Sequence, residues 1–505
     1  MTMHFPLLIR VDASKEMGTG HAMRMLALAQ AWQGRGGSVQ FATIEMPPQL
    51  VSRLRAGQVE VISLCEVAGG SIRRGSRRDA THTAALAKQI GAAWVVADGY
   101  VFDSTFQTTI QQAELSCAMV TDFDYCDPWN CELILNQNPH AIHEPYSNSV
   151  DSCKRLLGTR FALLRQEFLE VQAAPEDRDA VDPRRVLITL GGSDPDNATG
   201  RLLALLDQSE HAELAIRVLV GAANPHRLDL EHAAATSRHR VDVMTNVQEM
   251  SGQYRWADGI ISAGGSTCWE WLYFGLPGAI LVIADNQFPI YRELTSAGTA
   301  TGLGTLEALR RNGSAAGQGL GQLLRTMHCC PRRPTQYRHL VDGYGASRVA
   351  AELDTGIWLR QANDNDRQLY FDWANDPEVR QNSLCSEKIE WQSHCQWFDG
   401  QLNSADARLL VALREETPVG QIRFNRTPED EWNVGFSVCG AARGTGVGKE
   451  LVRLGSAWMD HEALAPLVAT VKADNHASAL CFSRLGWETM PTESSTRLRY
   501  RKAAP

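Results

Sequence analysis

A histidine at the start of a predicted helix is the first side chain with the type and setting of a catalytic base. His21 follows Gly18 and Gly20 in a loop that leaves the apolar stretch Leu7–Val11 and enters the helix predicted over His21–Gly34. Glycine permits a tight turn and close approach of a ligand. The partial positive charge of a helix N-terminus favours the neutral, basic form of a histidine. Two interpretations are open: a general base, or a surface residue beside glycines that serve only the turn.

Two further glycine-containing loops have the strand–turn–helix layout in which backbone N–H groups hold phosphate. They are Leu190–Asn197, which includes Asp194, and Ser262–Glu270. Glu270 has two possible roles, because it can grip a ribose diol or complete a capping box with Thr267. The polar segment Ala284–Gln287 follows the next predicted strand, and a polar segment at the carboxyl end of a parallel strand points into a ligand cleft.

A fourth loop lies in the last third of the chain. Residues 439–449 follow the alternating stretch Trp432–Val438 and precede a helix predicted over Glu450–Glu462. Arg443, Gly446 and Gly448 have the spacing that turns successive N–H groups at a helix N-terminus toward a pyrophosphate. A purely structural turn is an equally adequate interpretation of the spacing alone.

The composition limits what kind of protein carries these loops. A chain of 505 residues is expected to form about three domains. Its net charge of −9 argues against a protein that coats nucleic acid or an anionic membrane. No signal sequence and no apolar run near ~18 residues is evident, so a cytoplasmic protein with no membrane partner is expected. The twelve cysteines are scattered without a CxxC pair, which predicts reduced thiols and no metal site.

The order of the predicted elements gives the fold class. Short continuous apolar strands alternate with helices in two successive stretches of about 175 residues, separated by the polar segment Ala173–Arg185. This pattern predicts an α/β protein in which two Rossmann-like domains, residues 1–172 and 173–353, face each other across a cleft. From Trp358 the pattern changes to antiparallel strands and helices, which predicts an α+β domain over residues 354–505. Residues 308–340 have no clear assignment.

Stretches spread over residues 7–353 match one family. They are RVDASKEMGTGHAMR (10–24), VVADGY (95–100), LILNQN (133–138), LLGTRFALLRQEF (156–168), LITLGGSDPDN (187–197), SAGGSTCWEWLYFGLP (262–277), ADNQ (284–287) and DGYGASRVA (342–350). The region resembles the PseG-type UDP-2,4-diacetamido-2,4,6-trideoxy-altropyranose hydrolases of pseudaminic acid (nonulosonic acid) synthesis, a family similar to GT-B glycosyltransferases. Gly99 stands where some members have histidine, and Thr121 stands where some have a second aspartate.

The resemblance implies a GT-B-like arrangement of the two Rossmann-like domains and a role for His21. It implies that His21 is the base that activates water for attack at the anomeric carbon with inversion, releasing UDP. UDP leaves as a stable anion, so the reaction does not need the general acid of an ordinary glycosidase. The residues expected to bind substrate or UDP are Gly18, Gly20, Asp194, Asn197, Ser266, Thr267, Glu270, Asn286 and Gln287.

The layout of the last domain resembles the GNAT acetyltransferase superfamily. The 439–449 loop, the strand Leu467–Lys472 and the sequence Leu485-Gly-Trp487 carry this resemblance. Phe371–Arg380 and Ile389–Trp397 resemble its PseH-type subgroup, which acetylates the 4-amino group of a UDP-linked 4-amino-4,6-dideoxy sugar. The implied cosubstrate is acetyl-CoA, and the implied contacts are Val438, Arg443, Gly444, Gly446, Gly448, Lys449 and Asn475.

The sequence of this domain does not identify the general acid that protonates the departing thiolate. Many GNAT enzymes place a tyrosine where this chain has Phe482. Water or Tyr500 could protonate the thiolate instead, and the position does not decide between them. Trp373, Trp397 and His394 suit either a packed core or a substrate site.

Together the two resemblances predict consecutive reactions, in which acetylation of a UDP-amino sugar is followed by release of UDP. This would serve pseudaminic acid synthesis for flagellin glycosylation, with contacts to other enzymes of the pathway. Two alternatives remain: a GT-B glycosyltransferase joined to an acetyltransferase, and a non-catalytic module that senses UDP-sugar or acetyl-CoA. The histidine of the GTGH loop argues against the second alternative, because binding alone needs no base.

Overall fold

The computed structural model describes residues 6–14, 17–146, 148–150, 152–170, 184–191, 194–208, 212–221, 224–245, 247–329, 336–462, 464, 466–492 and 494–502. Its contacts divide the chain into two compact units. One unit comprises Pro6–Gln30 and Val39–Val349, and the other includes Ala31–Ser38 and Ala350–Pro505. The first unit contains two parallel sheets and the second contains one mixed sheet.

The first sheet has seven strands in the order β3-β2-β1-β4-β5-β6-β7. Its strands are β1 Pro6–Val11, β2 Ser38–Thr43, β3 Glu60–Ser63, β4 Trp94–Asp98, β5 Ser116–Val120, β6 Leu133–Asn136 and β7 Lys154–Leu157. Its helices are α1 Gly20–Gln33, α2 Pro48–Ala56, α3 Leu64–Val67, α4 Arg77–Ile90, α5 Ser104–Gln112 and α6 Gln166–Leu169, with 3-10 turns at Pro139–His143 and Thr159–Phe161. The strand order reverses between β1 and β4, and parallel sheets bind ligands at the carboxyl ends of strands beside such a reversal.

The second sheet repeats this topology in the order β10-β9-β8-β11-β12-β13, with parallel pairing throughout. Its strands are β8 Arg184–Thr189, β9 Leu214–Val220, β10 Arg240–Thr245, β11 Gly259–Ala263, β12 Gly278–Val282 and β13 Thr301–Thr305. Its helices are α7 Ala198–Asp207, α8 Arg227–Thr236, α9 Ser251–Trp256, α10 Thr267–Tyr273, α11 Phe288–Ser296, α12 Leu306–Arg311, α13 Ser314–Cys329 and α14 Gly345–Glu352, with a 3-10 turn at Asp285–Gln287. The reversal here lies between β8 and β11.

The third sheet has the order β14-β15-β16-β17-β18-β20-β19. Its strands are β14 Ile357–Gln361, β15 Ala407–Arg414, β16 Thr417–Arg426, β17 Trp432–Val438, β18 Leu467–Lys472, β19 Glu488–Met490 and β20 Arg497–Arg501. Its helices are α15 Arg367–Ala374, α16 Pro377–Asn382, α17 Trp391–Leu402, α18 Val447–His461 and α19 His476–Arg484, with 3-10 turns at Asp364–Asp366 and Gly440–Ala442. All its neighbouring strands are antiparallel except β17 and β18, which are parallel.

The predicted fold class, two Rossmann-like α/β sheets followed by an α+β domain, is confirmed. Each sheet lies within one of the three predicted domain segments, although the first two sheets share one compact unit. Within the first two sheets, the sequence prediction omitted β3, β7, β10 and β13, and in the third sheet it named only β17 and β18 individually. The unassigned residues 308–340 contain the end of α12 and the long α13. Among the described residues, no helix is both long and apolar enough to cross a membrane.

Candidate functional site

His21 lies next to the carboxyl end of β4, at the second residue of α1. Its Nδ1 is 2.7 Å from Oδ1 of Asp98, the last residue of β4. The His21 side chain is 15% exposed, whereas that of Asp98 is fully buried. Burial alone would raise the pKa of Asp98, but the charge of Arg24 and the hydrogen bonds from Arg24 and His21 hold that pKa below its usual value. Asp98 is therefore an ionised acceptor, so the Nδ1 of His21 donates to it.

This hydrogen bond sets the tautomer of His21. With the proton on Nδ1, the other ring nitrogen, Nε2, carries the lone pair. Arg24 also approaches Nδ1, at 3.1 Å, but a guanidinium has no acceptor. Its short contacts are instead with both oxygens of Asp98, at 2.7 and 2.6 Å, and we interpret the 3.1 Å approach as two donors sharing one carboxylate. The ring is thus held with Nε2 unprotonated, an arrangement that resembles the way a carboxylate orients the histidine of a catalytic triad.

Arg24 connects Asp98 to a second, partly buried carboxylate, Asp122. The guanidinium donates to Asp122 at 2.7 Å, and Asp122 accepts a further bond from the Tyr100 hydroxyl at 2.5 Å. Burial would raise the pKa of Asp122, but the charge of Arg24 and the hydrogen bonds from Arg24 and Tyr100 lower it. The pKa of Tyr100 is raised by burial and by Asp122, so its hydroxyl remains protonated. The ring of Tyr100 packs edge-on against His21 at 5.2 Å between centroids, which adds a second support for the imidazole.

The glycine loop holds this histidine by its backbone. Gly18 has φ +75°, a backbone conformation that residues other than glycine rarely adopt. Its N–H donates to the carbonyl of Ser14 at 2.9 Å. Gly20 is the first residue of α1, and a Cβ there would meet no atom within 4 Å. The space in front of the helix start is therefore open, as an incoming ligand requires.

Asn286 is the residue of the second sheet's loops that lies beside this cluster. It is exposed, and its Nδ2 is 3.5 Å from the Tyr100 hydroxyl. The neighbouring Gln287 is held differently, because its Oε1 accepts the backbone N–H of Ile283 at 3.0 Å. Of these two predicted substrate residues, Asn286 is the one that approaches Tyr100, whose ring packs against His21.

Glu270 does not form the capping box that the sequence pattern allowed. Helix α10 begins at Thr267 and its N-cap is Ser266, which makes no side-chain cap hydrogen bond. That interpretation was wrong because Thr267 lies inside the helix instead of at its cap. The carboxylate of Glu270 accepts a bond from the buried Tyr254 hydroxyl at 2.6 Å and lies 3.4 Å from Arg165. A carboxylate held in this way is fixed and part-exposed, and its predicted contact with a ribose stays a prediction.

Asp194 and Asn197 cap helix α7. Both oxygens of Asp194 accept backbone bonds, from Ala198 at 2.8 Å and from Thr199 at 3.0 Å. Asn197 accepts from the N–H of Gly200 at 3.1 Å. These bonds satisfy the free N–H groups of the first turn. The structure thus commits both side chains to the helix, and their predicted contact with substrate remains untested.

The second candidate site is a cleft between β17 and β18. These parallel strands pair only at Trp432 with Leu467 and at Asn433 with Val468. Beyond that point they separate, and a cavity of about 660 Å³ lies at the opening. Its walls include the C-terminal half of β17, the residues after Gly444 and the start of α19. Unpaired strand edges and a helix N-terminus both present backbone groups to whatever occupies the cavity.

The glycines of the predicted pyrophosphate loop have the expected geometry. Gly444 and Gly446 have φ +76° and +87°, and Gly446 is the N-cap of the 15-residue helix α18. A Cβ at either glycine would meet nothing within 4 Å, so the space beside the loop is open. Gly448 is close to other groups, since a Cβ there would lie 3.4 Å from Cys481 Sγ. Val438 and Lys449 also line the cavity.

Arg443 and Asn475 carry structural bonds as well as lining the cavity. The Arg443 guanidinium binds Asp376 at 2.6 Å and Glu378 at 2.9 Å. Its side chain is therefore committed to carboxylates, and backbone N–H groups are the better candidates for holding a pyrophosphate in this loop. Asn475 caps α19 by accepting the N–H of Ser478 at 3.1 Å. The contacts predicted for both with the cosubstrate stay predictions.

Phe482 is fully buried and stacks on Tyr500, with ring centroids 5.4 Å apart. Phe482 lines the cavity, but Tyr500 is not among its lining residues. His394 is also buried, and its Nε2 is 2.9 Å from the carbonyl of Arg367. Burial lowers the pKa of His394, which favours the neutral ring of a packed residue. Its neighbour Trp397 remains 37% exposed.

Sequence reasoning assigned no role to Asp98, Asp122, Arg24 or Tyr100, which hold His21. The signal for Asp98 was present, because the stretch VVADGY places a carboxylate at the end of a buried strand. The described residues contain no group of three or more His, Cys, Asp or Glu side chains that could hold a metal ion.

Comparisons with known proteins identify two parts of the chain. Residues 357–488 match the family model of the acetyltransferase (GNAT) domain, and residues 186–298 match the C-terminal domain of glycosyltransferase family 28. The third sheet therefore belongs to a GNAT acetyltransferase domain, and the second sheet to a glycosyltransferase-like nucleotide-sugar domain.

Individual similar proteins cover larger parts of the chain, each at low sequence identity. The uncharacterised protein MJ1062 of Methanocaldococcus jannaschii is 22% identical over 95% of this chain and 96% of its own. A UDP-2,4-diacetamido-2,4,6-trideoxy-beta-L-altropyranose hydrolase of Campylobacter jejuni is 24% identical over 45% of this chain and 74% of its own. Among solved structures, MurG of Acinetobacter baumannii is 16% identical, with a TM-score of 0.48, over 69% of this chain and 99% of that one.

Proposed function

We propose that the chain is a bifunctional nucleotide-sugar enzyme that acetylates an amino sugar and then hydrolyses the bond to its nucleotide. The carboxy-terminal domain transfers acetyl from acetyl-CoA to the 4-amino group of a UDP-4-amino-4,6-dideoxy sugar. The first unit releases UDP from the resulting diacetamido sugar, as the similar hydrolase of C. jejuni is named to do. The product belongs to the pathway of pseudaminic acid or a related nonulosonic acid.

The observation that carries the hydrolase is the oriented imidazole of His21. Asp98 binds Nδ1 at 2.7 Å, so Nε2 is the basic nitrogen. In the reaction Nε2 takes a proton from water, the water oxygen bonds to the anomeric carbon, and the bond from that carbon to the phosphate oxygen breaks. UDP departs with the electron pair. The ionised Asp98 stabilises the imidazolium that forms, as an orienting carboxylate does in acyl transfer.

The cleft between β17 and β18 supports acetyl transfer. Its volume of about 660 Å³ and its glycine loop at the start of α18 suit an extended thioester with a diphosphate. Bound acetyl-CoA supplies the activated acetyl group. The open β17 edge, with its separated partner β18, is available to orient that cosubstrate by backbone hydrogen bonds. Phe482 contributes no proton, so the thiolate is protonated by water or another group.

A glycosyltransferase is the second candidate, and the match of residues 186–298 to glycosyltransferase family 28 favours it. In that case a sugar or lipid hydroxyl replaces water as the nucleophile, and His21 is still the base. The two activities differ in what they need for UDP release. A hydrolase releases UDP with water alone, whereas a transferase needs the acceptor.

The test is product analysis by mass spectrometry with a small panel of UDP-4-amino sugars. We expect acetylated UDP-sugar, then free diacetamido sugar and UDP, when acetyl-CoA is present and no acceptor is added. Omitting acetyl-CoA should slow UDP release strongly, because the free 4-amino sugar is the wrong substrate for hydrolysis. Equal UDP release without acetyl-CoA would overturn the consecutive scheme. UDP release only after addition of a second sugar or lipid would favour the glycosyltransferase.

A further inference from the structure

Arg423 is a basic residue of the acetyltransferase cavity that none of the reactions above uses. It lies in β16 directly opposite Gly435 of β17. Its guanidinium packs over that glycine, because a Cβ at Gly435 would lie 3.2 Å from the Arg423 Cζ. The glycine therefore leaves room for the guanidinium, which forms part of the cavity wall.

No carboxylate neutralises Arg423 among the residues that the structure describes. Besides packing over Gly435, its guanidinium lies 5.9 Å from the centroid of the Trp397 ring, and the charged side chain that affects its pKa is another cation, Arg380. Burial lowers the pKa of Arg423 below its usual range, which shows how poorly the charge is compensated. Partly burying a charge is unfavourable unless an opposite charge accompanies it. The cavity is thus short of an anion at this point.

Arg380 adds a second uncompensated charge to the same cavity. Its guanidinium binds the backbone carbonyl of Ala374 at 2.5 Å, that of Cys385 at 3.1 Å and the hydroxyl of Ser383 at 3.0 Å. It also donates to the backbone carbonyl of Glu387 at 3.3 Å, and all four partners are neutral. Five basic side chains line the cavity against a single carboxylate, Glu378, which already binds Arg443.

Arg423 is distant from the loop that suits the cosubstrate's diphosphate. Gly435 precedes Val438, the last residue before that loop, by three positions, which is about 10 Å along a strand. The face of the sheet also differs. Arg423 shares its face with Gln421, whose amide donates to the Ser437 hydroxyl at 3.0 Å.

Helix α18, which carries the glycine loop, covers the opposite face. There a Cβ at Gly455 of α18 would lie only 2.7 Å from Ile422. Ile422 and Arg423 are adjacent in a strand, so their side chains point to opposite faces of the sheet. One cation-lined region of the cavity is therefore separate from the diphosphate loop of the cosubstrate.

We propose that Arg423, with Arg380 beside it, binds the diphosphate of the nucleotide-linked amino sugar during acetyl transfer. The inference rests on the proposed function, since it assigns the anion-binding part of the acceptor site. A guanidinium presents paired N–H donors that match phosphate oxygens, and such charge-assisted bonds are among the stronger ones in proteins. The acceptor is then recognised by its nucleotide as well as by its amine.

The test compares two acceptors in the full-length protein carrying His21→Ala, a substitution expected to prevent hydrolysis of the UDP-linked acceptor. One acceptor is the UDP-linked 4-amino sugar, and the other is the same sugar as a methyl glycoside without phosphate. We expect Arg423→Gln to raise the KM for the UDP-linked acceptor about 10- to 100-fold. Its kcat/KM for the methyl glycoside and its KM for acetyl-CoA should change less than about twofold. Arg423→Lys should fall between, since it keeps the charge and loses the paired donors.

Arg414→Gln is the matched control, because Arg414 is an exposed arginine of the neighbouring strand β15 that does not line the cavity. It should leave both acceptors unaffected. An equal loss for both acceptors, or a raised KM for acetyl-CoA, would overturn the assignment of Arg423 to the acceptor's diphosphate. An unchanged KM of Arg423→Gln for the UDP-linked acceptor would overturn the assignment too. If even the Arg423-containing enzyme acetylates no nucleotide-linked amino sugar, the proposed function fails, and this inference fails with it.

Discussion

The two candidate sites of this chain handle charge in opposite ways. Around His21, the buried carboxylate of Asp98 and the partly buried one of Asp122 share one guanidinium, that of Arg24, through bonds of 2.6 to 2.7 Å. In the acetyltransferase cavity, several basic side chains have no carboxylate partner, and Arg423 is the clearest case among the described residues. The first cluster is complete without a ligand, whereas the second lacks an anion.

The difference indicates what each site does. A cluster whose charges compensate each other holds one imidazole in a fixed tautomer, which is what a general base requires. A cavity with excess positive charge attracts anionic ligands, and paired hydrogen bonds offset the cost of removing water from them. The comparison therefore predicts that substitutions at the first site change catalysis, and those at the second change binding.

The largest expected effect is at His21. His21→Ala should lower UDP release from the diacetylated substrate about 10²- to 10⁴-fold, because the base that activates water is lost. Acetyl transfer by the same protein should be unchanged and serves as the internal control. Steady-state assays of UDP and CoA release measure both reactions. Near-normal UDP release by His21→Ala would remove the imidazole from the mechanism.

Asp98→Asn should have the next largest effect, a loss of at least about 100-fold in kcat for UDP release with KM little changed, because the wrong tautomer disables the base. An amide at this position can donate to Nδ1, which moves the ring proton to Nε2 and removes the basic lone pair. Asp122→Asn is the matched control, because Asp122 binds the same Arg24 but is not bonded to the His21 ring. Asp122→Asn should lower kcat for UDP release less than about tenfold. If the two variants lose equal activity, the role of Asp98 is to pair Arg24 instead of setting the tautomer.

The position of His21 was predictable from the sequence, but its partners were not. Local spacing identified a glycine loop before a helix, and the structure starts α1 at Gly20. Asp98 and Asp122 are 77 and 101 residues further along the chain, and their approach to α1 depends on the parallel order of β1, β4 and β5. A one-dimensional pattern gives the carboxyl end of each strand, but not which ends become neighbours.

Some polar loop residues carry structural bonds that the sequence did not reveal. Asp194 and Asn197 in the second sheet's first loop, and Asn475 in the third domain, were predicted as ligand contacts, and those contacts stay predictions. In the structure each accepts backbone N–H groups at the start of a helix. The same residue types serve both purposes. Only the direction of the side chain, which depends on the backbone conformation, separates them.

Strands were predicted best where apolar residues recur along the run and several of them are buried. The predicted Trp432–Val438 and Leu467–Lys472 agree with β17 and β18 at every boundary. The omitted β10, Arg240–Thr245, is an edge strand with no fully buried residue, so its sequence lacks a continuous apolar run. The separation of β17 from β18, which makes the cavity, left no local signal, because it is a relation between two strands.

The last prediction concerns the glycine loop, where the expected effect on acetyl-CoA binding is at least about tenfold. Gly446 has φ +87° and no atom within 4 Å of a potential Cβ. In Gly446→Val the branched side chain opposes this conformation and occupies the space where a diphosphate would approach the start of α18. Gly356→Val is the matched control, because Gly356 has φ +73°, equally open surroundings and no place in the cavity lining. Both variants should lose similar thermal stability, but only Gly446→Val should raise the KM for acetyl-CoA, and it should still hydrolyse substrate acetylated beforehand. If the KM for acetyl-CoA rises equally in both variants, backbone strain, and not contact with the cosubstrate, explains the loss of binding.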